Sequence, residues 1–109
     1  MLSPFRSLPW ERLLRGEALA ALGRYDEALG WYEGLAEVSV HDLPYLVPAL
    51  MGSARVREAM GEVDGALRDY DRVLGLLSDA EPAFQPQRND AARRKADLIA
   101  AATDSPTGS

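Results

Sequence analysis

Two stretches of this 109-residue chain can be laid on one another, and that coincidence limits the fold more than any other feature. Gly23-Arg24-Tyr25-Asp26-Glu27-Ala28-Leu29 matches Gly61-Glu62-Val63-Asp64-Gly65-Ala66-Leu67, and four residues beyond each alanine stands a tyrosine, Tyr32 and Tyr70. The two glycines are 38 residues apart. A period of that length is the signature of one supersecondary unit used twice, each burying its apolar face on the next.

The pieces between the punctuating glycines and prolines have helical spacing. Trp10–Leu22 places Leu13, Leu14, Ala18, Leu19, Ala21 and Leu22 on one face, and about Asp26 to Val38 does the same with Ala28, Leu29, Tyr32, Leu35 and Ala36. Gly23-Arg24-Tyr25 is too short a link for anything but an antiparallel hairpin. After a loop at Ser39–Leu43, the spacing predicts a third helix from Pro44 to Met60, with Ala49, Leu50, Ser53, Val56 and Met60 inward. Pro48 is expected to bend this helix or delay its start. A fourth helix is expected over about Asp64–Leu77, capped by Asp64 and burying Ala66, Leu67, Tyr70, Val73, Leu74 and Leu77. A loop at Ser78–Gln87, an Ala-rich helix at about Asn89–Ala102 and a polar tail complete the reading. No segment alternates as a half-buried strand does, so the class is all-α: two antiparallel helix hairpins and a terminal helix.

Composition enters as a set of exclusions. The chain has no cysteine, which removes disulfides, thiolate zinc sites and thiol chemistry. Seventeen acids against twelve bases give a net charge of −5, unsuited to a phosphate backbone, so no nucleic-acid partner is expected. Met1–Trp10 carries Pro4 and Pro9 and no apolar signal segment, and no apolar run approaches the ~20 residues of a membrane span. The expectation is a cytoplasmic protein without a membrane partner. His41, the only histidine, has neither a cysteine nor a second histidine to build a metal site with, and reads as an exposed loop residue. Asp64-Gly65 with Asp69 and Asp71 lacks the ligand alternation of a calcium loop; Asp69 and Asp71 read as a solvated face with Arg68 and Arg72. Arg93-Arg94-Lys95 reads as the outer face of the last helix, and Trp31 with Tyr32 as packing residues. No catalytic set, metal site or cofactor site emerges, so the chain is not read as an enzyme.

The repeated string resembles the tetratricopeptide repeat family, over roughly Pro9 to Leu77. That family's period is about 34 residues, and the longer offset is taken up by the loop between units. Gly16, Gly23, Tyr25, Ala28 and Tyr32 in the first unit, with Ala54, Gly61, Ala66 and Tyr70 in the second, stand where the family keeps its small and aromatic packing residues. The resemblance implies an α-α superhelix: an N-terminal extension over 1–8, a domain over 9–102 with units at about 9–38 and 44–77, a capping helix at about 89–102, and a flexible tail at 103–109. Arg12 and Arg15 stand where an aromatic and a leucine usually open the first helix, and Ser53 departs likewise in the second unit. Arg57 replaces an aromatic, leaving the second unit to pack loosely or to turn that arginine to solvent. The chain's end, with Asp79-Ala80-Glu81-Pro82 and Gln85-Pro86, is similar to closing segments of repeat regions in bacterial multidomain regulatory proteins.

In such arrays the first helix of each unit lines a concave groove. The resemblance therefore implies a partner-binding surface of Trp10, Leu13, Glu17 and Ala20 from the first unit and Met51, Arg55 and Glu58 from the second. Leu13 and Met51 replace the basic or amide residues of chaperone-tail-binding members, so that function is not implied. Two readings stay open. The groove captures a peptide or helix of another protein, or the face packs on an upstream domain or a second copy, as one end of a longer solenoid. Two units fall below the ~3 that such arrays need for stability, which asks for a neighbour in either case.

Overall fold

The computed structural model describes residues 9–78 and 82–103. The expected extension over 1–8, residues 79–81 of the second loop and residues 104–109 of the tail lie outside the described residues. Five helices follow in order: α1 (Pro9–Ala21), α2 (Tyr25–Val38), α3 (Leu43–Ala59), α4 (Val63–Leu76) and α5 (Gln85–Thr103), with a 3-10 turn at Pro82–Phe84 before the last. The described residues contain no strand. Each helix packs on its predecessor, and α1 also reaches α3.

The two matched strings build the same turn. Gly23 and Gly61 have φ of +78° and +80°, a conformation glycine reaches without a Cβ penalty. Arg24 N–H donates to Leu19 C=O at 2.9 Å and Gly23 N–H to Ala20 C=O at 3.0 Å. Glu62 and Gly61 repeat the pattern onto Arg57 and Glu58 at 2.8 and 3.0 Å. Both are Schellman closures that satisfy the orphan carbonyls of the outgoing helix. The carbonyls of Arg24 and Glu62 then accept from Ala28 and Ala66, each 3.0 Å away, and start the returning helix. Glu62 thus holds the cap position and Asp64 lies in the first turn, where its charge suits the helix dipole; it is not the cap.

The inward residues of α2 and α4 are those the spacing names: Ala28, Tyr32, Leu35 and Ala36, then Ala66, Tyr70, Val73 and Leu77. In α1 the face is turned. Leu13, Leu19 and Ala20 pack on the core, whereas Leu14 and Leu22 are 52% and 70% exposed and Ala18 and Ala21 also face outward. Gly16 fixes this register, because a Cβ there would stand 2.8 Å from Tyr32 Cε1. A Cβ on Gly52 of α3 would meet the same ring more closely still. Tyr32 is therefore wedged between two glycines, one on its own hairpin and one on the next.

Helix α3 is buried on nearly all sides, with Leu46, Val47, Ala49, Leu50, Met51, Gly52, Ser53, Ala54 and Val56 all inaccessible. Pro48 lies inside it and does not delay its start, which comes at Leu43. Helix α5 begins at Gln85, ahead of the expected Asn89, because Pro86 in its first turn gives up an N–H that has no helical partner anyway. Ala91 and Leu98 seat α5 on the shared core.

Arg57 neither loosens the second unit nor turns to solvent. Its guanidinium pairs with Glu33 of α2 at 2.7 Å, Glu62 of the turn at 2.9 Å and Asp69 of α4 at 3.3 Å. Its stem lies over Gly65, where a Cβ would come within 2.8 Å of Arg57 Cδ. Asp69, only 13% exposed, also accepts from the Ser53 hydroxyl at 2.6 Å. It belongs to this inner network and not to a solvated face with Arg68 and Arg72.

Candidate functional site

A depression of about 410 Å³ opens between α1 and α3, the opening helices of the two hairpins, and α5. Glu17 contributes from α1, and Pro48, Met51 and Arg55 from α3. The third wall is Pro86, Gln87 and Asp90 of α5. A second depression, of about 280 Å³, adjoins it and is lined by Glu17, Ala20, Tyr25, Tyr32, Gly52 and Arg55. Glu17 and Arg55 border both, Arg55 standing one turn along α3 from Met51, which supplies the floor.

Four of the residues expected in the groove therefore come together: Glu17, Ala20, Met51 and Arg55. Met51 is only 4% exposed, so it forms the floor and is not a projecting anchor. Leu13 turns inward and packs against both halves of the core, which removes it from the groove. Glu58 faces α4, where the Tyr70 hydroxyl donates to its carboxylate. Trp10, 49% exposed at the start of α1, is absent from the linings of both depressions.

The packing residues named from the resemblance lie as follows. Gly16 faces Tyr32, and Ala28, Ala54, Ala66 and Tyr70 are fully buried. Tyr25 packs half-buried beside Ala28, and Gly23 and Gly61 make the turns. Trp31 is a rim residue, not a core one: it is half-buried, with the Arg15 guanidinium 5.3 Å from its ring centroid.

Electrostatics divide the groove into committed and free groups. Asp90 is paired with Arg93 and, at 3.2 Å, with Arg94. Lys95 reaches Asp71 of α4 at 2.6 Å, so all three bases of the α5 cluster have carboxylate partners. By contrast, no ion pair engages Arg55 or Glu17 among the described residues. Burial pushes the Tyr32 phenol above its ordinary range, the charge of Glu17 adds to that, and Arg55 opposes it. Burial, then the bond to Glu58 and its charge, push Tyr70 up further. Gln87 Oε1 is buried without a hydrogen-bond partner. No group of three His, Asp or Glu side chains among the described residues is placed to hold a metal ion, and His41 is exposed.

Sequence reasoning missed Pro48, Pro86, Gln87 and Asp90. A signal for the α5 residues was present: moved on by one repeat period, Met51 lands next to Asp90, which marks α5 as a third first-type helix. No helix among the described residues is long and apolar enough to cross a membrane. In comparison with known proteins, no family model, no curated protein and no solved structure matches the chain.

Proposed function

We propose that this chain is a tetratricopeptide-like protein-interaction module, a short right-handed α-α superhelix that binds a peptide or helix of another protein and does not catalyse. The observation that carries the reading is the depression between α1, α3 and α5. It has an apolar floor at Met51, with Pro48 and Pro86 at its sides, and polar walls whose Glu17 and Arg55 have no ion pair among the described residues. Its volume of about 410 Å³ falls among binding clefts, with few convergent polar groups over an apolar base. Panning a random peptide library against the folded chain tests it. Selected peptides should lose binding to a Glu17→Arg, Arg55→Glu variant whose helicity is unchanged. Peptides that hold the variant as tightly would place the binding surface elsewhere.

A second reading, a self-association or spacer segment of a longer solenoid in a multidomain regulatory protein, is favoured by α1. Moved back by the 38-residue period, Pro48 and Gly52 of α3 become Trp10 and Leu14. Gly52 is covered by α2, whereas Trp10 and Leu14 are about half exposed. Sedimentation checks this reading: a monomer at high concentration, unchanged by Leu14→Glu, argues against it.

A further inference from the structure

A separate depression, of about 350 Å³, opens where α2, α3 and α4 converge, and it shares no lining residue with the groove between α1, α3 and α5. Its floor is made by the lining residues that are buried: Tyr32, Ala36, Leu50 and Ser53. Ala36 and Ser53 are small, and they leave room that larger side chains would fill. Val40, 50% exposed in the loop after α2, stands at the rim. The charge here is one-sided. Glu33, Glu37 and Asp69 line the depression against a single guanidinium, that of Arg72. Arg57 is not in the lining but pairs with Glu33 and Asp69; counting it still leaves three carboxylates against two cations, and Arg57 is further shared with Glu62. Glu37 has no ion pair among the described residues. The bonds from Arg57 and Ser53 fall on one oxygen of each carboxylate, Glu33 Oε2 and Asp69 Oδ2. A carboxylate offers about four acceptor positions over its two oxygens, so both acids keep capacity for another donor.

From this charge complementarity we infer that the depression takes a basic side chain, lysine or arginine, of a partner protein. Its aliphatic stem lies on Leu50 and Ala36, and its charged end meets Glu37 and the remaining oxygens of Glu33 and Asp69. Both basic side chains bury an apolar stem while the charged head stays with polar partners, which is the pairing of floor and rim found here. The acids are not grouped to hold a metal ion, and an apolar floor suits a stem better than a hydrated ion. An acidic side chain in the same place would face an excess of like charge. The inference goes beyond the groove reading: it adds a second surface and does not depend on the first.

Two capped peptides test it, one alternating lysine with leucine and the other glutamate with leucine, titrated calorimetrically into the full chain. The lysine peptide should bind about tenfold or more tighter, the scale of one charge-assisted bond. Glu37→Lys should remove that preference, with circular dichroism unchanged because Glu37 is exposed. Asp97→Lys makes the same change of charge on the exposed face of α5 and should leave the lysine peptide within about twofold of its affinity. Equal losses in the two variants would mean that the peptide answers only to the net charge of −5, and would overturn the inference. So would tighter binding of the glutamate peptide, or no binding of either. The Glu17→Arg, Arg55→Glu variant should keep the lysine peptide. Loss there, with Glu37→Lys unaffected, would place the peptide in the groove, which sinks this inference and leaves the groove reading standing.

Discussion

The joint between the hairpins can be probed with a single methyl group. Alanine normally stabilises a helix relative to glycine by about 1 kcal/mol. At Gly30, exposed on α2 with nothing within 4 Å of a new Cβ, Gly30→Ala should deliver that gain. At Gly52 the same methyl would drive into the Tyr32 ring, which is 2% exposed and already backed by Gly16. Overpacking of this kind costs about 1–3 kcal/mol. Set against the propensity gain, Gly52→Ala should be neutral to about 2 kcal/mol destabilising, so the two alanine variants should differ by about 1–3 kcal/mol. For a domain of this size each kcal/mol moves the melting midpoint by about 4–8 °C. Urea unfolding followed at the helical circular-dichroism band measures both. The collision can be isolated further, because Tyr32→Leu removes the ring: in that background Gly52→Ala should lose its penalty and stabilise like Gly30→Ala. A Gly52→Ala variant as stable as Gly30→Ala in the native background would refute the wedge.

The turns, the ion-pair hub and the buried phenols give three more tests. Gly23→Ala places a Cβ at φ +78° and should cost about 1–2 kcal/mol in the same urea experiment; no loss would mean the turn is not held as described. Arg57→Met leaves Asp69, 13% exposed, without its cation and should cost about 1–3 kcal/mol, a loss that shrinks in 0.5 M salt if charge is its cause and stays constant if only packing is. Tyr32 and Tyr70 keep their protons when folded at pH values where the unfolded chain gives them up. Their contribution is full below the ordinary phenol value of 10.0 and is lost progressively as pH rises beyond it toward their raised folded values. A melting midpoint that stays flat from about pH 10 to 11.5 would contradict this.

The turns and the buried stripes of α2 and α4 were legible because glycine punctuation and apolar spacing agree there. The register of α1 was not. Leu13 and Leu14 are adjacent, alanines lie on both faces, and the choice between them is made by Gly16 meeting a ring from another helix. In α3 the difficulty is the reverse. The helix is apolar almost all round, so the pattern cannot separate a floor residue such as Met51 from a projecting one; the charge at Arg55 marks the open side. Asp69 looked solvated from its sequence neighbours, but its partner Ser53 lies 16 positions back. The groove's third wall was hidden by Pro82 and Pro86, which read as loop although one suits the 3-10 turn and the other the first turn of α5.

The burial of α3 also has a consequence for how the chain comes apart. A helix sheltered by α2 on one side and by α4 on the other belongs to both hairpins at once. Separating the hairpins would bare to water those of α3's nine buried residues that α2 covers, and because the two pairs share one core they are expected to unfold together. Stacked repeats often melt from one end, a unit at a time. Here the calorimetric and van't Hoff enthalpies should agree, a peptide covering residues 9–42 should be largely unfolded, and amide exchange should protect α3 to the full free energy of global unfolding.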